Sequence, residues 1–319
     1  MKRLFIAFLF ISCACSAQEK MNVYFLKNNG RYVTVKDSAD YMRIVTEPDS
    51  GSTLYNIAEY YLDGKKKSIG KSSKIDPPSY EGQRIRFYKS GGKEMISFYK
   101  DGTSVDDEFG FYPNGKPYLV VKYPAVPSPN RGFDDYLIMA NYDSTGVAGV
   151  VNGNGSFKIY DDHFKQIVEA GMVKDGKRDG ECTGSEFNGT WKYTEKYDNG
   201  VLISGTMTDD KGVVSTYTQT RSTAPQYKGG LSAFYKYLGN KIVYPEYESD
   251  HKIQGVVVMS FVVEKNGKIS DIKILNPVSP AIDKEATRVV KNSPLWIAGT
   301  RFGRPVRVSY VLPLNFSLN

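Results

Sequence analysis

Apolar and polar residues alternate most regularly between Gly255 and Leu275, in the C-terminal third of the chain. A run of β-branched and aromatic residues precedes Asn266-Gly267, and a strictly alternating run follows it, which predicts a β-hairpin. If Asn266 and Gly267 are the two central turn residues, the apolar side chains share one face and the sheet is covered on that side only. The register that follows from this turn pairs Val263 with Ser270, Phe261 with Ile272 and Met259 with Ile274.

Two amphipathic helices are predicted to cover the apolar face of this hairpin. The first follows Gly229-Gly230, and the second begins at Ser279-Pro280 and ends before Pro294. Their apolar stripes recur at helical spacing. The stripe of the first helix is Leu231, Phe234, Leu238 and Ile242, and that of the second is Ile282, Ala286, Val289 and Val290.

A last strand is predicted from Val306 to Phe316. Its even positions are apolar, whereas Arg307, Ser309 and Asn315 point to the other side. Pro313 cannot donate a hydrogen bond to a ladder, so this strand is expected at the edge of its sheet. The even positions are Val306, Val308, Tyr310, Leu312, Leu314 and Phe316. Residues 227–319 are therefore predicted to form a small α+β domain.

The region from Glu19 to Tyr217 is rich in tyrosine, phenylalanine, glycine and lysine, and turn dipeptides interrupt it at intervals of about 10 to 13 residues or twice that. This rhythm predicts successive antiparallel hairpins with an irregular internal repeat. Three prolines in the stretch Tyr123 to Asp134 indicate an extended connection. The predicted fold is thus a mostly β repeat or meander region, in two parts over 18–123 and 136–217, followed by the α+β domain. A short linker, Thr218 to Gly230, joins them.

The N-terminus has the pattern of a secretory signal peptide over residues 1–17. Lys2 and Arg3 precede a short apolar run, and small residues follow up to Ala17, where cleavage is expected. Cys13 or Cys15 could instead be lipidated, which would make the chain a lipoprotein on a membrane surface. After cleavage at Ala17, Cys182 is the only cysteine, and a buried structural role is expected for it. The protein is therefore predicted to be exported.

Charge and candidate chemistry narrow the function classes. Loss of Lys2 and Arg3 lowers the formal net charge from +7 to +5, and the charges are interspersed, so a nucleic-acid binder is not expected. His163 and His251 are the only histidines, and neither has a partner at metal-ligand spacing. For His163, next to Asp161 and Asp162, a solvated turn is favoured over acid–base chemistry. No enzyme activity, metal or cofactor is predicted.

The C-terminal domain resembles that of TonB proteins, the periplasmic domain that engages outer-membrane transporters. The resemblance depends on Tyr244-Pro245, Gln254-Gly255, Asn266-Gly267, Trp296 and the closing strand VRVSYVLPLNF. The lead-in APQYKGGLSAFYKYL also resembles Bacteroidetes members, although Tyr227-Lys228 stands where those have Phe-Pro. Ala298-Gly299 likewise replaces a frequent Pro-Gly. Tyr244 and Pro245 are expected to be structural, ending the first helix.

This resemblance implies a partner, an extended segment of a TonB-dependent outer-membrane transporter or a similar envelope protein. An edge strand offers unpaired backbone groups, so β-augmentation is the expected mode. The predicted contact strand comprises Val306, Arg307, Val308, Ser309, Tyr310 and Leu312. Neither a membrane helix nor a long proline-rich rod precedes the domain, which makes coupling to an inner-membrane motor doubtful.

The upstream region resembles MORN-type repeats, most clearly in VKDGKRDGECTG and also in FGFYPNGK and EKYDNGVLISG. Such repeats usually form scaffolds, and a plain β-meander is the alternative. The predicted function is that of an exported periplasmic or envelope-associated interaction protein. The alternative is an envelope scaffold that binds glycan or lipid through exposed aromatic residues such as Tyr88, Tyr99 and Tyr112, with the C-terminal domain serving for homodimerisation.

Overall fold

A computed structural model of the chain describes residues 21–125 and 136–318. The predicted fold class is confirmed: antiparallel β-strands dominate, and a small α+β domain follows them. The predicted signal peptide, Cys13, Cys15 and most of the proline-containing stretch lie outside the described residues. No helix among the residues described is long and apolar enough to cross a membrane.

The chain divides into two compact units. The first consists of Met1–Phe157 and Val173–Lys177, and the second of Lys158–Met172 and Arg178–Asn319. The division falls within the strands Asn154–Tyr160 and Ile167–Lys174 and after the first residue of the strand Lys177–Glu186.

The first unit is a meander in which each strand pairs antiparallel with the next. β1 pairs with both β2 and β3, and from β3 onward the pairing continues strand by strand to β12. A short 3-10 helix, Lys36–Ser38, precedes β3. The strands are β1 Met21–Leu26, β2 Tyr32–Val33, β3 Tyr41–Thr46, β4 Tyr55–Tyr61, β5 Lys66–Ser72, β6 Tyr80–Phe87, β7 Lys93–Lys100, β8 Thr103–Phe111, β9 Pro117–Tyr123, β10 Leu137–Tyr142, β11 Ala148–Val151 and β12 Asn154–Tyr160.

Tyrosines at successive turns tie the meander of the first unit together. Tyr61, Tyr88 and Tyr112 each begin a three-residue loop in which the N–H of a glycine donates to the tyrosine carbonyl. The hydroxyl of Tyr61 donates to Phe87 O at 3.0 Å, and that of Tyr88 to Phe111 O at 2.5 Å. The hydroxyl of Tyr112 donates to Tyr142 O at 2.8 Å. The same tyrosine contact thus recurs every two strands, and each hydroxyl bonds to the last residue of the strand two further along the chain.

This arrangement corrects one expectation about the aromatic residues. Tyr112 is only 5% exposed, Tyr88 is half-buried, and Tyr99 packs against the ring of Tyr80 at 5.6 Å. Side chains that hold the turns cannot also stand free for a ligand. The expectation of exposed aromatic residues is therefore wrong for Tyr112, which is buried, whereas Tyr88 and Tyr99 are half-buried.

The second unit contains the remaining strands of the meander and the C-terminal domain. β14 to β17 pair antiparallel in chain order. The remaining elements are β13 Ile167–Lys174, β14 Lys177–Glu186, β15 Trp191–Asp198, β16 Val201–Thr208, β17 Val214–Tyr217, β18 Ser222–Thr223, α1 Gly230–Lys241, α2 Glu246–Asp250, β19 Gly255–Val263, β20 Ile269–Asn276, α3 Pro280–Lys291, β21 Thr300–Arg301, β22 Arg304–Pro305 and β23 Val308–Phe316.

The core of β14–β17 is built partly from buried ions. Glu195 is buried, and the guanidinium of Arg221 donates to both of its carboxylate oxygens at 2.7 and 2.5 Å. The hydroxyls of Tyr217 and Tyr197 donate to the same carboxylate at 2.8 and 3.0 Å. Burial lowers the pKa of Arg221, but the hydrogen bond to Glu195 and the charge interactions with Tyr193, Glu195 and Tyr197 together raise it overall. A fully bonded ion pair is the form in which charges are tolerated in a protein interior.

The C-terminal domain packs its helices on one face of a three-stranded sheet, in the order β20-β19-β23. Helix α3 begins where predicted, since the Ser279 hydroxyl oxygen accepts a hydrogen bond from the N–H of Ile282 at 3.2 Å. The whole stripe predicted for α3 is buried. In α1, Phe234 and Leu238 are buried, but Leu231 is 50% exposed, so its predicted place in the core is wrong. Leu231 lies in the first turn of α1, away from the sheet.

The predicted hairpin exists, but its turn and register differ from the prediction. The Glu264 N–H donates to Lys268 O and the Gly267 N–H to Glu264 O, so three residues form the loop and Lys265-Asn266 is its centre. Val263 therefore pairs with Ile269 rather than Ser270. A bulge then leaves Asp271 and Ile272 together opposite Phe261, and the predicted pair of Met259 with Ile274 is restored.

Candidate functional site

Strand β23 lies at one edge of the C-terminal sheet, as Pro313 predicted. Its nine residues pair without interruption with the nine residues of β19, from Gly255 opposite Phe316 to Val263 opposite Val308. Leu312, Leu314 and Phe316 are buried, and Tyr310 packs on Phe261 at 5.5 Å. These contacts hold the strand straight and fix its side-chain alternation.

The free side of β23 presents backbone groups from alternate residues. In an antiparallel ladder the N–H and C=O of successive residues point to opposite sides of the strand. Pro313 has no N–H and is tolerated only where that group would point away from the ladder. The odd-numbered residues Ser309, Val311 and Asn315 therefore direct their backbone groups towards the free edge.

The other edge of the sheet, β20, is irregular. Its pairing with β19 shifts twice, between Val258 and Met259 and between Ser260 and Val262. Asp271, in the second shift, has a φ of 49°. Bulges and charged side chains on an edge strand oppose the pairing of a further strand. Of the two edges, β23 is the one with a regular backbone.

Two of the predicted contact residues, Val306 and Arg307, precede the strand, which begins at Val308. The Val306 N–H donates to Gly299 O at 2.8 Å, so its backbone is already bound within the domain. The Arg307 guanidinium lies against the hairpin, with Nε 2.8 Å from Glu264 Oε2 and Nη2 2.8 Å from Asp271 Oδ2. The free edge is thus confined to the part of the chain after Arg307.

The ion pairs of Arg307 shift the ionisation of both partners. The hydrogen bonds from Arg307 and then from Ser270 lower the pKa of Glu264, and those from Arg307 to Glu264 and Asp271 raise the pKa of the guanidinium. These side chains are at the surface, so the pairs contribute little to stability. Their effect is to fix the position of the Arg307 side chain at the start of β23.

The outer face of the sheet, opposite the helices, carries aliphatic side chains. Val311 of β23 is 56% exposed and Val256 of β19 is 43% exposed. Val258 lies between them, opposite Pro313, and is half-buried. Exposed β-branched residues beside a free edge are suited to contact with the side chains of an added strand.

The residues predicted to be structural lie in or against the core of the C-terminal domain. The Tyr244 hydroxyl donates to Ile253 O at 2.6 Å, and Pro245 is the N-cap residue of α2. Trp296 is buried, with its ring 4.9 Å from Phe234 and 5.4 Å from Phe261. Asn266 Oδ1 accepts from the N–H of Lys268 at 3.1 Å, which closes the hairpin loop. Gly267, the fifth residue predicted to be structural, accepts a hydrogen bond from the Trp296 N–H, and all five lie around the sheet that presents β23.

The groups singled out for possible chemistry have structural partners. His251 stacks on the Tyr247 ring at 4.0 Å. The exposed loop of His163 is held by hydrogen bonds from the backbone N–H groups of Lys165 and Gln166 to Asp161 Oδ1. Burial, with a smaller effect of Glu169, raises the pKa of the Cys182 thiol to about 11, which keeps it protonated and unreactive. Within the described ranges, no group of three His, Cys, Asp or Glu residues could hold a metal ion.

Sequence reasoning missed Phe302, Arg304 and Arg221. Phe302 is fully buried within the second unit, although it lies in a turn between charged residues where exposure is expected. The available signal was the phenylalanine itself, since a large apolar residue in the short turn Arg301 to Arg304 is costly unless it is covered. Nothing in the local pattern indicates what covers it.

Comparison with known proteins gives a match within the C-terminal domain. Residues 240–318 match the family model described as the C-terminal of the Gram-negative bacterial TonB protein. Among solved structures, the NMR solution structure of the Helicobacter pylori TonB C-terminal domain is 22% identical, covering 28% of this chain and 80% of that chain, with a TM-score of 0.23. No curated protein matches the chain. The predicted resemblance to TonB is confirmed for the matched residues.

Proposed function

We propose that the C-terminal domain binds an extended peptide of an outer-membrane transporter by adding it to the edge strand β23. The observation that carries this proposal is the unbroken pairing of β23 with β19 along its whole length, next to a β20 edge that bulges twice. A regular edge is a template for a further strand, whereas a bulged edge is not. The family match over residues 240–318 supports the choice of a transporter as partner.

Each residue of the proposed contact strand has a distinct role. Ser309 and Val311 offer backbone hydrogen bonds and face the aliphatic outer side. Val308, Tyr310 and Leu312 face the core and anchor the strand, while Arg307, which Glu264 and Asp271 hold in place, marks the end of the free edge. Val306 contributes through its bond to Gly299 rather than through the peptide.

The setting of this binding domain is also part of the proposal. The chain is exported by a signal peptide over residues 1–17, acts in the periplasm or on the cell envelope, and is lipidated if Cys13 or Cys15 is the acceptor. The parts of the mature chain are two MORN-like repeat regions, 18–123 and 136–217, and a Bacteroidetes-type TonB-like domain, 227–319. The recurring loops at Tyr61, Tyr88 and Tyr112 support a repeat of two strands.

The test uses peptides that copy the periplasmic N-terminal segments of the host's outer-membrane transporters. The full chain, labelled with 15N, is titrated with each peptide, and the amide signals of Ser309, Val311 and Asn315 are followed. We expect these amides to shift and become protected from exchange, while those of β20 remain unchanged. Shifts confined to β20, or to the helices, would contradict pairing at β23.

A matched pair of variants separates backbone pairing from side-chain contact. Val311→Pro removes one outward N–H from the free edge, and Val311→Thr keeps that N–H on a residue of similar shape. We expect the first to abolish peptide binding and the second to retain it, with the folded amide spectrum of the domain preserved in both. Equal affinity of the two variants would rule out an added strand. Sedimentation of the chain without peptide shows whether a second copy occupies the edge instead.

The second candidate function is an envelope scaffold that binds glycan through the β repeats. A specific observation favours it: four threonines lie side by side across β14–β17 on the exposed face, Thr183, Thr194, Thr206 and Thr216. Glu181, Lys196 and Ser204 form the adjoining row, and residues of both rows line a shallow cleft. Closely spaced hydroxyls with one cation and one anion suit the hydroxyl and amide groups of a neutral glycan.

This candidate has its own test. The full chain and a Thr194→Val, Thr206→Val double variant are sedimented with purified peptidoglycan. Valine is similar in shape to threonine but cannot form the hydrogen bonds, so binding through this face should fall strongly in the variant. Equal sedimentation of both proteins, or none of either, would remove this candidate and leave the peptide-binding function untouched.

A further inference from the structure

A small hairpin of the C-terminal domain inserts its tip among the aromatic residues of the last meander strands. This clasp, residues 300–305, consists of β21, the turn Phe302-Gly303 and β22. Phe302 is 0% exposed. Its ring stacks on Tyr193 at 5.5 Å and meets Tyr217 at 5.3 Å and Trp191 at 6.4 Å, both edge-on. Aromatic clusters of this kind bury large areas and add specific ring contacts.

Polar contacts hold the clasp against β17 and the turn that precedes it. Arg304 Nη1 lies 2.5 Å from Asp209 Oδ2, and its Nη2 donates to Val213 O. The Ser215 hydroxyl donates to Phe302 O at 2.8 Å. The hydrogen bond from Arg304 lowers the pKa of Asp209, which keeps the carboxylate charged. Gly303 of the clasp also lies close against β17, because a Cβ at this position would be 2.2 Å from Thr216 O.

The connection from β17 to α1 is also bound along its length. The Arg221 side chain lies with Glu195 in the meander core, and its carbonyl oxygen accepts the Phe302 N–H at 2.6 Å. Further along, β18 pairs with β21, and Gln226 exchanges backbone hydrogen bonds with Ile297. The predicted linker, Thr218 to Gly230, is thus part of the interface rather than a free hinge.

We propose that β14–β17 and the C-terminal domain form one rigid body, closed by the clasp, so that β23 keeps a fixed orientation to β14–β17. The clasp leads through Val306 and Arg307 directly into β23. The rigid body does not depend on the proposed peptide binding.

The test compares the motion of the two parts in the full chain. 15N relaxation is measured for amides of β15 and of β19, and we expect one rotational correlation time for both. Independent domains joined by a flexible linker would give the C-terminal domain a shorter value. Two clearly different correlation times in the unaltered protein would overturn the proposal.

Limited trypsin digestion tests the clasp itself, because Arg221 and Lys228 are cleavage sites within the bound connection. Phe302→Ala removes the ring, and we expect cleavage at these sites to become about a hundredfold faster, since proteolysis follows the population of the open form. Arg304→Ala, which keeps Phe302, should give a smaller increase. Leu295→Ala, at an exposed position, is the control and should cleave like the unaltered chain.

The outcomes separate this inference from the proposed function. Faster cleavage with the domain's amide spectrum preserved supports an opened clasp, whereas unchanged cleavage in Phe302→Ala contradicts it. If Phe302→Ala unfolds the domain, the Arg304→Ala chain, with Phe302 retained, decides the question by the same digestion. If no transporter peptide binds but β15 and β19 share one rotational correlation time, the proposed peptide binding is wrong and the rigid body is still supported.

Discussion

The backbone N–H of Trp296 donates a 2.9 Å hydrogen bond to the carbonyl oxygen of Gly267. This bond ties the tip of the β19–β20 hairpin to the segment that follows α3. Gly267 has a φ of +79°, and a Cβ at this position would lie 2.0 Å from the Trp296 carbonyl oxygen. The glycine therefore serves both the turn and the close approach of two backbones.

Replacement of Gly267 by alanine should destabilise the domain. The left-handed backbone alone costs a non-glycine residue about 1–2 kcal/mol, and the clash with Trp296 adds to it. The matched control is Gly239→Ala within α1, where a Cβ has nothing within 4 Å; it should raise the free energy of unfolding by about 0.5–1 kcal/mol. Urea unfolding followed by tryptophan fluorescence measures both, and a neutral Gly267→Ala would contradict the geometry.

Glu195→Gln should weaken the second unit. The change removes the nearer of the two carboxylates beside the Arg221 guanidinium and leaves Glu169 Oε1 at 3.6 Å. Loss of one partner of a buried pair costs up to about 3–5 kcal/mol. Glu181→Gln, on the exposed face of β14, is the control and should change the free energy of unfolding by less than about 0.5 kcal/mol. Chemical denaturation at pH 7 tests the difference, and similar values for the two variants would show that the buried pair contributes little.

Tyr88→Phe should remove one of the bonds that link successive repeat units. The hydroxyl of Tyr88 donates to Phe111 O, and loss of such a bond costs about 0.5–1.5 kcal/mol. Burial raises the pKa of Tyr88 to about 12. Tyr235→Phe, at an exposed position on α1, is the control. Equilibrium unfolding should show a larger decrease in the free energy of unfolding for Tyr88→Phe than for Tyr235→Phe. The reverse order would argue against tyrosine bonds between successive pairs of strands.

Acid should destabilise the first unit through Glu59. Burial alone would raise the pKa of this carboxyl, but Arg84, the Ser68 hydroxyl and Arg43 outweigh it and hold the pKa below its usual range. The stabilisation is therefore complete above the unfolded-state pKa of about 4.3 and is lost as the pH falls through the lower folded-state pKa. Urea unfolding from about pH 6 to pH 2 should show this decline, and Glu59→Gln should flatten it. An equal decline in both proteins would assign the effect to other groups.

Local sequence determined much of the C-terminal domain. The buried stripe of α3, its Ser279 cap, the existence of the hairpin and the alternation of β23 follow from the spacing of neighbouring residues, and the structure reproduces them. Pro313 was enough to place β23 at an edge, because a missing N–H excludes a central strand. The rhythm of turns likewise predicted a meander. These features depend on contacts within one element or between neighbours in the chain.

Tertiary structure decided the rest. The hairpin register depended on whether Gly267 ends a three-residue loop, and the contact with Trp296 fixes that choice. Arg221 and Glu195, 26 residues apart, and Phe302 with Tyr193 on β15 meet only in the folded chain. From residue type and local sequence alone, Arg221 and Glu195 are expected to be charges at the surface, and Phe302 is expected to lie in an exposed turn. Local periodicity determines which face of an element is apolar, but the partner of each buried group is set by long-range packing, which a single sequence does not encode in any short stretch.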